Sequence, residues 1–141
     1  MAHILVVDDE DHIRQLIATV LTLEGHEVET AIDGHQALLR TERRIPDCIV
    51  LDMAMPGMDG WRFLDELYRR GIRDQTRVVV ASGLSECDWS AHSQFFLGKP
   101  FSAEGLIDVI EASLATEPSD LRRKLDRSDR LAELIGRMRG L

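Results

Sequence analysis

Five short runs suited to β-strands divide this chain, and four of them stop against a polar or turn residue that can carry chemistry. His3 to Val7 (HILVV) gives way to Asp8, and Cys48 to Leu51 (CIVL) gives way to Asp52. Val78 to Ala81 closes at Ser82-Gly83, and Phe95-Phe96-Leu97 closes at Gly98-Lys99-Pro100. The remaining run, His26 to Ala31 (HEVETA), alternates weakly. Between the runs lie helical patterns. Strictly alternating strand and helix predicts an α/β fold: a doubly wound, five-stranded parallel sheet with helices on both faces, because right-handed crossovers place them there.

The helices are read from apolar spacing. Asp11 is the expected N-cap of the first, with Ile13, Leu16, Ile17, Val20, Leu21 and Leu23 at helical intervals and Gly25 as the stop. The second runs from Gly34 to Arg44, with Ala37, Leu38 and Leu39 expected inward, and breaks before Pro46. The third runs from about Gly60 to Arg70, with Trp61, Leu64, Leu67 and Tyr68 on its inner face and Phe63 flanking them. Ser102 caps the last helix of the body, where Leu106, Ile107, Val109, Ile110 and Leu114 are apolar. Leu84 to Gln94 (LSECDWSAHSQ) lacks apolar periodicity and is rich in Ser, so a short or irregular helix is expected there.

Composition narrows the function. The formal net charge is −8, which argues against nucleic-acid binding by the main body. Residues 1–117 hold 10 basic against 21 acidic side chains, whereas residues 118–141 hold 7 against 4, so the end of the chain is a basic appendage to an acidic body. Cys48 and Cys87 are too few for a disulfide framework and lack metal-site spacing. The N-terminal segment reads as a strand rather than a signal peptide, and no apolar run reaches the roughly 20 residues of a membrane span. A reducing cytoplasm without membrane attachment is the expected setting.

In a parallel sheet the strand C-termini share one edge. Here that edge would collect Asp8 and Asp9, Asp52, Ser82 and Lys99. Taken singly, each has a plain explanation: an acid after a strand often caps a helix, and a Lys before Pro usually faces solvent. Their joint placement at strand ends is what points to a site. Two carboxylates about 4 Å apart repel by about 4 kcal/mol at an effective dielectric near 20. An all-oxygen cluster of this kind suits magnesium.

The motifs that occupy this edge are LVVDDE at 5–10, PDCIVLDMAMPGMDG at 46–60, VVVASG at 78–83 and LGKPF at 97–101. In order and content they resemble the receiver domain of bacterial two-component response regulators, over residues 3–116 or so. The resemblance implies the flavodoxin-like strand order 2-1-3-4-5 and a receiver domain over 1–117. It implies that Asp52 accepts a phosphoryl group from a phosphohistidine of a sensor histidine kinase or phosphotransfer protein. Magnesium would be held by Asp9 and Asp52, by Asp8 mainly through water, and by the Ala54 backbone carbonyl. Lys99 would pair with Asp52 or a phosphoryl oxygen, Ser82 would hydrogen-bond the phosphoryl group, and a cis Lys99–Pro100 peptide would aim the Lys inward. Phe96 takes the aromatic switch position that is most often Tyr, and the interval from Ser82 to Lys99 is about five residues shorter than usual. Such a chain is a phospho-acceptor rather than a conventional metabolic enzyme. The competing reading is a receiver-like scaffold that binds constitutively without phosphorylation.

Residues 118–141 begin with a helix-start signal, and Leu121, Leu125, Leu131, Ala132, Ile135 and Met138 mark a helical stripe with Arg and Lys on the other faces. They are too few for a DNA-binding or enzymatic module. An amphipathic interaction helix is expected, pairing with a second copy as a homodimer or docking on a partner.

Overall fold

The computed structural model describes residues 1–83 and 95–117. The expectations for the segment 84–94 and for residues 118–141 therefore lie outside the described residues. Within them the chain runs β1 (His3–Val7), α1 (Asp11–Leu23), β2 (Glu27–Ala31), α2 (Gly34–Arg43), β3 (Cys48–Leu51), α3 (Gly60–Arg69), a 3-10 turn (Arg73–Gln75), β4 (Arg77–Ser82), β5 (Phe95–Gly98) and α4 (Ala103–Leu114). All neighbouring strands pair in parallel, in the order β2-β1-β3-β4-β5. The doubly wound sheet and its order are those expected from the sequence.

The three central strands, β1, β3 and β4, are buried on both faces, so their alternate residues feed two separate cores. Leu5, Val7, Ile49, Leu51, Val78 and Val80 face α2 and α3. Ile4, Val6, Cys48, Val50, Val79 and Ala81 face α1 and α4. Each fully buried Leu, Ile or Val contributes about 1.5–3 kcal/mol through removal from water, which makes the strand register a strong preference.

The helices bury narrower stripes than their apolar patterns suggest. In α1 only Ile17 and Leu21 are buried, while Leu16 is 50% and Leu23 81% exposed. In α2, Leu39 points outward at 63% exposure, leaving Ala37 and Leu38 inside. In α3 the expected face is rotated: Phe63, Leu64 and Leu67 are buried, and Trp61 and Tyr68 lie at its exposed margins. Gly60 starts α3 in close approach to Met53. Asp11 proves to be the first helical residue of α1 and not its cap; Glu10 occupies the cap position without a side-chain bond. Asp33, Asp59 and Ser102 do cap α2, α3 and α4, each accepting from a backbone N–H three residues on.

The loop after β3 is anchored by methionines. Met53, Met55 and Met58 all enter the core beneath α2 and α3. At Gly60 a Cβ would meet Met53 Sδ at 2.5 Å, Met53 Cα at 2.7 Å and the Asp52 carbonyl at 3.0 Å. At Gly57, where φ is +75°, nothing lies within 4 Å of a Cβ. The two glycines are thus needed for different reasons. Gly60→Ala is expected to destabilise the protein by about 2–3 kcal/mol through overlap with backbone. Gly57→Ala should cost about 1 kcal/mol through left-handed strain alone. Urea unfolding of both variants checks the order, and a larger loss at Gly57 would contradict it.

Candidate phosphoryl-acceptor site

The ladder hydrogen bonds that define the sheet run on past the strands and place the polar residues. Asp52 N–H donates to the Val7 carbonyl (2.9 Å), Asp8 N–H to the Ala31 carbonyl (3.2 Å) and Lys99 N–H to the Ser82 carbonyl (3.0 Å). Backbone pairing therefore sets the side chains of β1, β3, β4 and β5 around one cleft, lined by Glu10, Ile13, Asp52, Ala54, Ser82 and Lys99 among others. The Lys99–Pro100 peptide is cis, as expected from the resemblance.

Lys99 is the hub. Its Nζ donates to Asp8 Oδ2 at 2.8 Å and lies 3.6 Å from Asp52 Oδ2 and 3.9 Å from Glu10 Oε1. Asp8 is buried, and its other oxygen accepts from the Glu10 N–H at 2.9 Å. Asp52 is also buried, with Oδ1 accepting from the Ala54 N–H at 3.2 Å. Asp9 is exposed, yet one carboxylate oxygen from each of Asp8, Asp9 and Asp52 falls within 4.8 Å of the others. That spacing and the all-oxygen donor set fit a hard divalent cation. Ser82 is 1% exposed at the end of β4, on the wall of the same cleft. Phe96 is paired in register with Val80, 40% exposed, and set on the opposite side of β5 from the buried Leu97.

All the residues expected at the edge are thus brought together, with Phe96 beside rather than in the cleft. Sequence reasoning missed Arg14. Its Nη1 donates to the Asp8 carbonyl at 2.9 Å and its Nη2 donates to Asp11 Oδ1. The available signal was a basic residue three after Asp11, at the spacing of a helical ion pair.

Charge in the cleft is unbalanced. Burial, helped by the charges of Asp8 and Asp9, pushes the Asp52 carboxyl up to about 6 against the pull of Lys99 and the Ala54 N–H. Burial alone would lower the Lys99 ammonium, but its bond to Asp8 and the charges of Asp52, Asp8 and Glu10 outweigh that and hold it above its ordinary value.

A family model described as the response regulator receiver domain matches residues 4–111. The chain belongs to the response regulator receiver family. Chemotaxis protein CheY of Bacillus subtilis is 33% identical over 121 residues, covering 81% of this chain and 99% of that protein. A crystallised receiver, Vibrio cholerae CheY4, superposes with a TM-score of 0.75 at 30% identity over 80% of this chain and 98% of its own. A protein-glutamate methylesterase/protein-glutamine glutaminase of Anaeromyxobacter dehalogenans is 48% identical over 82 residues, but the receiver chain spans only 23% of that longer protein.

The raised Asp52 value has a definite sign. Folded Asp52 holds its proton up to about pH 6, whereas in the unfolded chain it releases it near 4. Between those values the folded state binds more protons, so stability of the metal-free protein falls as pH rises from about 4 to 6. Asp52→Asn removes that loss. In EDTA at pH 7 the variant should be about 1–2 kcal/mol more stable than wild type, since one pKa unit is worth about 1.4 kcal/mol and water at the cleft mouth softens the charge. The difference should shrink toward pH 4; urea unfolding that shows no pH-dependent gap would refute it.

Proposed function

We propose that this chain works as a response regulator receiver in which Asp52 accepts a phosphoryl group from the phosphohistidine of a sensor histidine kinase or phosphotransfer protein. The observation that carries the reading is the convergence of Lys99 with Asp8, Asp9 and Asp52 in one cleft bounded by Ser82. An Asp52 carboxylate oxygen forms the new P–O bond as the P–N bond to the imidazole breaks, and the imidazole keeps the electron pair. Such a transfer needs orientation and charge neutralisation more than proton transfer. Asp8, Asp9 and Asp52, with the Ala54 carbonyl, would hold magnesium, which when bound offsets negative charge on the phosphoryl oxygens. Lys99 supplies the protein's own positive charge and leaves Asp8 for a phosphoryl oxygen within its reach. Ser82 donates to another of those oxygens, and Phe96 follows the movement of β4. Signalling then proceeds by phospho-dependent protein binding, in the cytoplasm. Among the described residues no helix is long and apolar enough to cross a membrane.

Incubation with acetyl phosphate, or with beryllium fluoride, in magnesium buffer is expected to modify wild type and not Asp52→Asn. Intact mass and the NMR shift of the Ser82 amide read the two cases. No response in wild type would favour the constitutive scaffold.

The basic residues 118–141, outside the described residues, would pair two copies of the chain. The acidic body, with 21 acidic against 10 basic side chains, repels a second body and leaves the appendage as the favoured contact. Light scattering should report a dimer for the full chain and a monomer for residues 1–117; a monomer in both cases would overturn the pairing.

A further inference from the structure

We propose that Arg14 is a positioning residue for cation binding: its guanidinium clamps the acidic turn between β1 and α1 at both ends, so that Asp9 meets Asp52. The inference rests on the metal reading given above. Asp8, Asp9, Glu10 and Asp11 follow one another without interruption, a run that mutual repulsion would spread apart. Three other hydrogen bonds restrain Asp8: its own N–H to the Ala31 carbonyl, and the Glu10 N–H and Lys99 Nζ on its two carboxylate oxygens. None of them reaches Asp11. Arg14 does: one nitrogen holds the Asp8 carbonyl and the other holds Asp11, and its side chain is only 12% exposed while that of Asp11 is 75% exposed. The pair is a planar fork bridging two acceptors, a geometry that a lysine does not reproduce. Asp9 itself is exposed and sits in the middle of the bridged turn. Its place within reach of Asp8 and Asp52 follows from where the ends of the turn are held.

Charge and position predict opposite outcomes, which makes the role testable. If Arg14 acted only by its charge, removing it would leave the acidic cluster more negative and tighten magnesium binding. If it positions the turn, removing it scatters Asp9 and weakens binding. Calorimetric titration with magnesium chloride is the readout, with unfolding midpoints in EDTA recorded alongside. Arg14→Met is expected to bind magnesium about tenfold more weakly, the scale seen when residues behind metal ligands are removed. Arg14→Lys keeps the charge and the fold but loses the fork, and should also bind more weakly than wild type. Unchanged or tighter binding by Arg14→Met overturns the proposal, as does wild-type affinity in Arg14→Lys; if the Met variant fails to fold, the Lys variant decides. Asp9→Asn is the control. Binding by wild type but not by Asp9→Asn upholds the metal site whatever Arg14 does. No magnesium binding by wild type overturns the site and this role together.

Discussion

Asp8 and Asp52 are held close by a backbone that cannot let them separate. The Asp52 N–H bond to Val7 and the Asp8 N–H bond to Ala31 continue the parallel ladder, so relaxing the charge cluster would mean breaking sheet. Sheet pairing is in turn supported by two buried layers, each filled from alternate residues of the same strands. Repulsion at the edge is therefore balanced by hydrophobic burial beneath it, and locally by one ammonium, Lys99. Burial, with a smaller push from Asp8 and Asp9, raises the Asp52 carboxyl against the pull of Lys99. A metal-free receiver of this kind is stable in spite of its site.

Lys99 also orders the events at the cleft. It sits nearer to Asp8 than to Asp52, at 2.8 Å against 3.6 Å. Asp8 is thus the closer partner of the ammonium, while Asp52 lines the cleft without direct contact to it. The Ala54 N–H fixes one Asp52 oxygen without blocking the other. One Asp52 oxygen is thus tethered to the backbone, and the other lies 3.6 Å from the Lys99 ammonium.

Much of this was legible in the sequence because strands buried on both faces announce themselves as unbroken apolar runs. Cys48–Leu51 coincides with its expected bounds, and the residues following each run fell at the edge where a parallel sheet must put them. Helix faces were less legible. Trp61, Tyr68 and Leu39 satisfy helical spacing yet stay outside, since the face that packs is chosen by tertiary contacts that periodicity does not record. Arg14 was hidden for a related reason. Its spacing to Asp11 signals only a helical ion pair, and its other partner is a backbone carbonyl, which no residue type marks as an acceptor.

The two-layer use of the central strands has a consequence for how such a chain can vary. Val6 belongs to the α1–α4 core and Val7 to the α2–α3 core, and Asp8 follows at once. Adding or deleting one residue within β1 would exchange the two cores and turn the acid pair to the wrong side in the same stroke. Length is therefore frozen where packing and chemistry share a strand. A change of length in the loops at the opposite edge of the sheet would leave both the strand register and the acid pair in place.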